Sequence, residues 1–370
     1  MIELRAPDEA LILGLMSGTS CDGLDLALVR FHADGKTWEL EAFSEMAYSQ
    51  SFRDRLLTAT ELGLPEVSAL HAEIGDATAK RVQAFLADQP RPDLVVSHGQ
   101  TLWHEPAPFG ELGGHTLQLG DGDRLSALLD LPVLWNLRSG DMALGGQGAP
   151  LVPVADQYLF GAHAPLWLLN VGGIANLTGL GSEGLLLGMD VGPGNCLLDR
   201  WVEYRTGGEA TCDLDGRFSG GGSPDLSAVL SLVQACRSEA GQSLARERFD
   251  LGFLQQFLPV DCSLEDGAAT LVAVTTELIR GAIEQKDFGA ERLLVAGGGA
   301  ANPSLMLCLT AALPGLEVSS TRSLGLAPSA REAVCFAALG WLYLRGQASN
   351  HPPQTGASRN LRLGSLALPL

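Results

Sequence analysis

The chain has 370 residues, enough for two or three ordinary domains or one large one. Apolar residues make up 46% of it and charged residues only 18%, which excludes a disordered or coiled-coil chain. Its formal net charge of −19 argues against a broad nucleic-acid surface, although backbone N–H groups at Gly-rich turns and helix ends hold anions without basic side chains.

Glu3, Asp8 and Glu9 precede a short apolar run, Leu11 to Met16, so the basic start and longer apolar core of a secretory signal are missing. No apolar run approaches the ~18–20 residues of a membrane span. Cys21, Cys196, Cys212, Cys236, Cys262, Cys308 and Cys335 are widely spaced, without a C-x-x-C, and read as free thiols of a reducing compartment. A soluble cytoplasmic protein with neither membrane nor nucleic acid as partner is expected.

Leu11 to Met16 reads as a strand, and Leu24 to Phe31 as a second. The Ser17–Gly23 loop therefore joins strand to strand, whereas a P-loop or dinucleotide fingerprint leads from strand into helix. Residues 50–90 carry apolar residues at helical spacing. Leu94 to Val96 and Leu131 to Leu137 read as strands, and Gly145-Gly146-Gln147-Gly148 follows as a Gly-rich stretch. A second round of this punctuation begins at Leu166–Val171, runs into Gly172-Gly173, and continues through the strand Leu185–Asp190 to Gly192-Pro193-Gly194-Asn195. Residues 213–250 read as loop plus helix, and Leu271–Ile283 as helix. The strand Leu293–Ala296 leads into Gly297-Gly298-Gly299. Asn302 and Pro303 then supply an N-cap and a first-turn proline for a helix over Ser304–Leu313. Ala330–Leu344 reads as an apolar helix and 346–358 as a loop. Strands alternating with helices, with Gly-rich loops at strand ends, give an α/β architecture with ligands at those ends. The two hairpin-like openings suggest two related halves.

Several residues have the chemistry for a site. The loop Ser17-Gly18-Thr19-Ser20-Cys21-Asp22-Gly23 is either a phosphate wrap or an ordinary tight hairpin. Asp22 and Asp25 beside a phosphate make sense only with a metal ion between; otherwise they form and cap a turn. Asp141, in a Gly-rich loop, is either a general base or a turn residue. His98 and His104 lie six residues apart, a poor metal spacing, so substrate hydrogen bonding or structure is the better role. Asp190 either holds a magnesium-bound water or caps a turn. Glu332, on a mostly apolar helix, is either a ligand-facing or a solvent-facing carboxylate. Neither G-x-S-x-G nor H-E-x-x-H occurs, which leaves a serine hydrolase or a zincin unsupported.

Ten segments in order, among them MSGTSCDG (16–23), VSHGQTLWHEP (96–106), GGQGAPLVP (145–153), GGIANLT (172–178), MDVGPGN (189–195), VAGGGAANP (295–303) and TGASRNLRLG (355–364), closely resemble the anhydro-N-acetylmuramic acid kinase family and span nearly the whole chain. The resemblance implies a two-domain hexokinase/actin-like fold, that is, duplicated ribonuclease H-like domains with a cleft between them. Domain I would be 1–164 plus 326–370, and domain II 165–325. It implies ATP and Mg2+ as cofactors, an anhydro-sugar substrate and a homodimer. Nucleotide would be held at Gly18, Thr19, Ser20, Cys21, Asp22, Gly23, Leu24 and Asp25, at Gly172, Gly173, Asn176, Gly192 and Asn195, and at Gly297, Gly298, Gly299 and Asn302. Asp22 and Asp190 would serve the metal. Asp141 would be the catalytic base that activates water. His98, Gln100, Thr101, Arg138 and Glu332 would contact the sugar.

The chain departs from the family pattern at Asn136, Val191 and Ser243–Glu247, where only Ser243, Arg246 and Glu247 are kept. A kinase for another 1,6-anhydro sugar such as levoglucosan, or a nucleotide-binding protein without catalysis, are the alternatives.

Overall fold

A computed structural model describes residues 7–33, 37–106, 113–238, 249–259 and 261–369. Ser243, Arg246 and Glu247 lie outside the described residues. Contacts divide the chain into two compact units, one running up to Ala162 and resuming at Glu332–Leu370, the other His163–Arg331.

The first unit contains β1 (Glu9–Met16), β2 (Gly23–His32), β3 (Trp38–Ala47), β4 (Leu94–Ser97), β5 (Gln100–Glu105), β6 (His115–Leu119) and β7 (Val133–Trp135). The second contains β8 (Leu166–Val171), β9 (Ile174–Gly181), β10 (Gly184–Pro193), β11 (Arg292–Ala296) and β12 (Glu317–Ser320); β13 (Ser365–Ala367) returns to the first. The larger sheet has the order β13-β7-β4-β1-β2-β3, and the second unit's sheet β10-β9-β8-β11-β12. In both, three consecutive strands form an antiparallel meander, and the first of them then pairs in parallel with a later strand. A further parallel strand extends each sheet. The same order and the same directions recur, so the chain is a duplicated α/β unit with ribonuclease H-like topology. β1, β4 and β8 are buried along almost their whole length, as central strands covered on both faces must be.

Two close approaches fix the first unit. The helix Arg331–Leu344 is apolar almost all round, as a helix buried on every side must be. It crosses β1 at Gly14, where a Cβ would come within 2.0 Å of the Ala333 carbonyl oxygen. On the helix, a Cβ at Gly340 would meet Val96 Cγ2 at 2.4 Å. These contacts bring the helix start, with Glu332, towards the C-terminal end of β1.

The expected helical region 50–90 is two helices, Gln50–Leu57 and Leu64–Leu86, because Gly63 and Pro65 interrupt it and restart it. The expected strand Leu131–Leu137 shrinks to β7, since Asn136 turns into the left-handed region at φ 52°. The expected loop 346–358 contains a short helix, Pro352–Thr355, that reaches the candidate site. Among the described residues no helix is long and apolar enough to cross a membrane.

Candidate active site

Asp141 lies in the short helix Ser139–Ala143 and is completely buried. Its Oδ1 accepts from Asn350 Nδ2 and from the Thr355 hydroxyl, each at 2.8 Å. Its Oδ2 accepts from the Gly148 N–H at 2.9 Å. The Gly146 N–H returns to the Asp141 carbonyl at 2.9 Å, which folds the Gly-rich loop over the carboxylate. A Cβ at Gly146 would sit 2.2 Å from Oδ2, so no other residue fits without displacing Asp141. A buried carboxylate must be hydrogen-bonded, and this one is bonded by three donors, one from its own loop and two from the distant 350–355 segment. Asn350 and Thr355 are absent from the residues expected by sequence. They lie 209 and 214 positions from Asp141, so no local pattern connects them to it.

Arg138, just before that helix, donates to the Gly148 carbonyl at 2.8 Å and to His98 Nε2. His98 is buried against Phe336, with ring centroids 5.0 Å apart. Burial, and then the Arg138 charge, push its pKa down to about 3, so the ring is neutral and Nε2 accepts. His104 is pushed down to about 4, again by burial first and Arg138 second, and its Nδ1 lies 3.0 Å from the Thr116 hydroxyl. Gln118 reaches Thr116 at 2.7 Å and Thr101 at 3.5 Å. The structure therefore places His98, Arg138, His104 and the Asp141 loop together. His98, expected against the sugar, accepts from Arg138.

The first loop turns between β1 and β2, with the Cys21 N–H bonded to the Gly18 carbonyl at 3.1 Å and Cys21 itself at φ 54°. Gln100 is 4% exposed, and both ends of its amide are engaged here. Its Oε1 accepts from the Ser17 hydroxyl at 2.7 Å and its Nε2 donates to the Gly18 carbonyl at 3.1 Å. Gln100, expected at the sugar, is thus a strut beneath the first loop, because both halves of its amide have found backbone-anchored partners. Arg53 braces the other side, donating to the Ser20 carbonyl at 3.2 Å and pairing with Asp22 at 2.9 Å. Thr19 and Asp22 are exposed, Gly18 and Ser20 partly so.

Asp25 follows on β2. Burial first, and then Glu45, Glu332 and Asp22 in turn, push its pKa up from 3.8 to about 7. A proton is thus held in the fold that the unfolded chain releases. The stabilising contribution is fully present below the unfolded value and is lost as pH rises through about 7. Without nucleotide or divalent cation, Asp25 is expected to make thermal melting fall as pH rises from about 5 to about 7 and to add no slope well above that. Asp25→Asn should flatten that slope; an unchanged slope in the variant would remove Asp25 as its source.

In the second unit, the carbonyls of Gly172 and Gly173 accept from the N–H groups of Asn195 at 2.8 Å, Gly194 at 2.9 Å and Cys196 at 3.1 Å. The two Gly-rich segments close on each other at the start of the helix Cys196–Arg205. A Cβ at Gly194 would meet the Gly172 carbonyl at 2.5 Å, and Gly192 takes φ 158°. Asn195 Nδ2 donates to the Val171 carbonyl at 3.2 Å. Asn176 and Asp190, opposite each other on β9 and β10, are hydrogen-bonded. Gly297, at φ 76°, passes so close to Val171 that a Cβ would stand 2.7 Å from its carbonyl. Gly298 is exposed and Gly299 buried. Asn302, expected at the nucleotide, is a buried helix cap. Its Oδ1 accepts from Ser304 and Leu305, and its Nδ2 donates to Asp213 at 3.1 Å. Asp213 in turn accepts from the N–H groups of Phe218 and Ser219, tying down the 213–222 loop.

The family model for anhydro-N-acetylmuramic acid kinase matches residues 10–369. The chain belongs to the anhydro-N-acetylmuramic acid kinase family. It is 36% identical to the anhydro-N-acetylmuramic acid kinase of Salinibacter ruber, over 100% of this chain and 99% of that one. It is 38% identical to that of Xylella fastidiosa, over 95% and 94%. A solved ROK family glucokinase from Streptomyces griseus matches at 10% identity and a TM-score of 0.40, covering 89% of this chain and 97% of that one.

Two of this family member's departures have a local account. Asn136 tolerates the left-handed backbone at β7's end and accepts from the Ser139 hydroxyl, which secures the start of the Asp141 helix. Val191 is partly buried against the apolar core of the second unit, where its side chain packs.

Proposed function

We propose that this chain is an ATP-dependent kinase that opens 1,6-anhydro-N-acetylmuramic acid with water and phosphorylates the released 6-oxygen. The observation that supports the reading most is Asp141, a completely buried carboxylate held by three donors in a Gly-rich loop. Asp141 takes a proton from water, and the water oxygen bonds to the anomeric carbon. The bond from that carbon to O6 breaks, and its electron pair passes to O6. O6 then bonds to the γ-phosphorus as the bond to the ADP oxygen breaks. The proton leaves Asp141 for solvent, and the products are N-acetylmuramic acid 6-phosphate and ADP. Asp141 is covered in this structure, so water reaches it only as part of that cover moves on substrate binding.

Arg138, the cation beside the Asp141 loop, is assigned to the lactyl carboxylate of the sugar. The braced first loop and the Gly172–Gly173 turn are assigned to the phosphates. Among the described residues no three His, Cys, Asp or Glu side chains are grouped to hold a metal by themselves. A magnesium ion suits one or two carboxylates together with phosphate oxygens and water. The crowding of Asp22, Glu45 and Glu332 around Asp25 fits a cation at the first loop, with Asp22 assigned to it; Asp190 is assigned to the metal on the family resemblance. When bound, the ion neutralises charge on the transferring phosphoryl group. The resemblance extends the proposal to a cytoplasmic homodimer.

The test is ADP release with 1,6-anhydro-N-acetylmuramic acid and with levoglucosan, side by side. Turnover of the muramic sugar alone, or by far the faster, is expected. Turnover of levoglucosan alone would overturn the substrate assignment.

A further inference from the structure

The two oxygens of Asp141 are held differently. A carboxylate oxygen offers two in-plane lone pairs. Both on Oδ1 are engaged, by Asn350 Nδ2 and by the Thr355 hydroxyl. Oδ2 receives one donor, the Gly148 N–H, from a loop in which Gly145 and Gly148 take φ 82° and 68°.

The donors to Oδ1 are fixed in turn. Asn350 Oδ1 accepts from the Leu361 N–H at 2.6 Å, so its NH2 end must face Asp141; that end also donates to the Arg359 carbonyl at 3.1 Å. Thr355 is completely buried, and its hydroxyl accepts from the Ala357 N–H at 3.4 Å, which directs its own proton to Asp141. The Thr355 carbonyl accepts from the Gln147 N–H at 2.7 Å, and the Ser358 N–H donates to the Leu144 carbonyl at 2.9 Å. Residues 349–363 are therefore laced to the loop that carries Asp141.

We propose that Asn350 and Thr355 are positioning residues that lock Oδ1 and leave Oδ2 as the oxygen that takes the proton from water. This rests on Asp141 being the base. With the Gly148 N–H withdrawn, Oδ2 is exposed while Oδ1 stays held by Asn350 and Thr355. The arrangement selects one oxygen and one plane for proton uptake, and a well-oriented base is what makes proton transfer efficient.

The test uses Thr355→Val, which keeps the shape and removes the hydroxyl, with Thr355→Ser as the conservative partner. Thr355→Val is expected to lower kcat about 10–100-fold, the effect of one lost hydrogen bond to a charged group. KM for ATP and for the anhydro sugar should stay within about twofold, since neither touches Thr355. Thr355→Ser should restore most of kcat. On an Asp141→Asn background, Thr355→Val should cost nothing further, because the two act as one unit. Asn350→Ser repeats the comparison at the second donor if Thr355→Val does not fold. Wild-type kcat in Thr355→Val and Asn350→Ser, with Asp141→Asn inactive, would overturn the positioning and leave the base standing. A further loss on the Asp141→Asn background would also overturn it. Wild-type kcat in Asp141→Asn would remove the base itself.

Discussion

Asp141→Asn is expected to lower kcat for anhydro-sugar turnover about 10²–10⁴-fold, the range for loss of a positioned general base. KM for ATP should change little, because the nucleotide is assigned to other loops. The amide is close to the carboxylate in shape, but its NH2 replaces one acceptor. With Oδ1 still accepting from Asn350 and Thr355, the new NH2 faces the Gly148 N–H, donor against donor. That conflict is expected to cost about 1–3 kcal/mol of stability. The melting temperature must therefore be read beside the kinetics. A folded variant that has lost kcat supports the base. A folded variant with wild-type kcat would leave the water without its acceptor and contradict the mechanism.

Gly14→Ala is expected to damage the fold severely. Its added methyl would stand 2.0 Å from the Ala333 carbonyl oxygen and 2.7 Å from the Ala337 nitrogen. Both are backbone atoms of a helix, so no side-chain rotation relieves the clash. Strand and helix must separate, which opens the packing of Ile12, Leu94 and Val96 against the helix Arg331–Leu344. Overpacking of this kind costs about 3 kcal/mol. Urea unfolding should show the midpoint drop, or the variant should fail to accumulate as folded protein. Glu332 would shift with the helix, which weakens one of the lesser causes of the raised Asp25 pKa, behind burial and Glu45. A wild-type midpoint in Gly14→Ala would contradict the close approach.

The parts of the fold legible in the sequence are those where local chemistry is unambiguous. Continuous apolar runs at Leu11–Met16, Leu166–Val171 and Leu293–Ala296 mark β1, β8 and β11, the central strands. The Gly-rich turn after β11 follows from a close backbone approach that excludes a Cβ at Gly297, and a similar approach excludes one at Gly194 after β10. The strand-loop-strand opening, read twice, foreshadows the repeated sheet order. β5 and β6 escape notice because their ribbon is rich in His, Thr and Gln and partly exposed, without an apolar alternation. β13 has only three residues, and the Asp141 helix only five, one of them glycine. Gln100 and Asn302 sit at strand and helix ends where a ligand contact and a structural bond look alike in sequence. The structure engages both amides internally. Asn350 and Thr355 show the converse: a role at Asp141 that depends wholly on tertiary folding.

In the proposed reaction one protein couples opening of the anhydro ring to phosphorylation of the oxygen it releases. The most direct measurement is phosphorus and proton NMR of the product formed from ATP, magnesium and 1,6-anhydro-N-acetylmuramic acid. One ADP for each sugar consumed, a reducing sugar with phosphorus coupled to its C6 protons, and no unphosphorylated N-acetylmuramic acid are expected. A phosphorylated product with its 1,6-anhydro ring intact, or ring opening without ADP, would contradict that coupling.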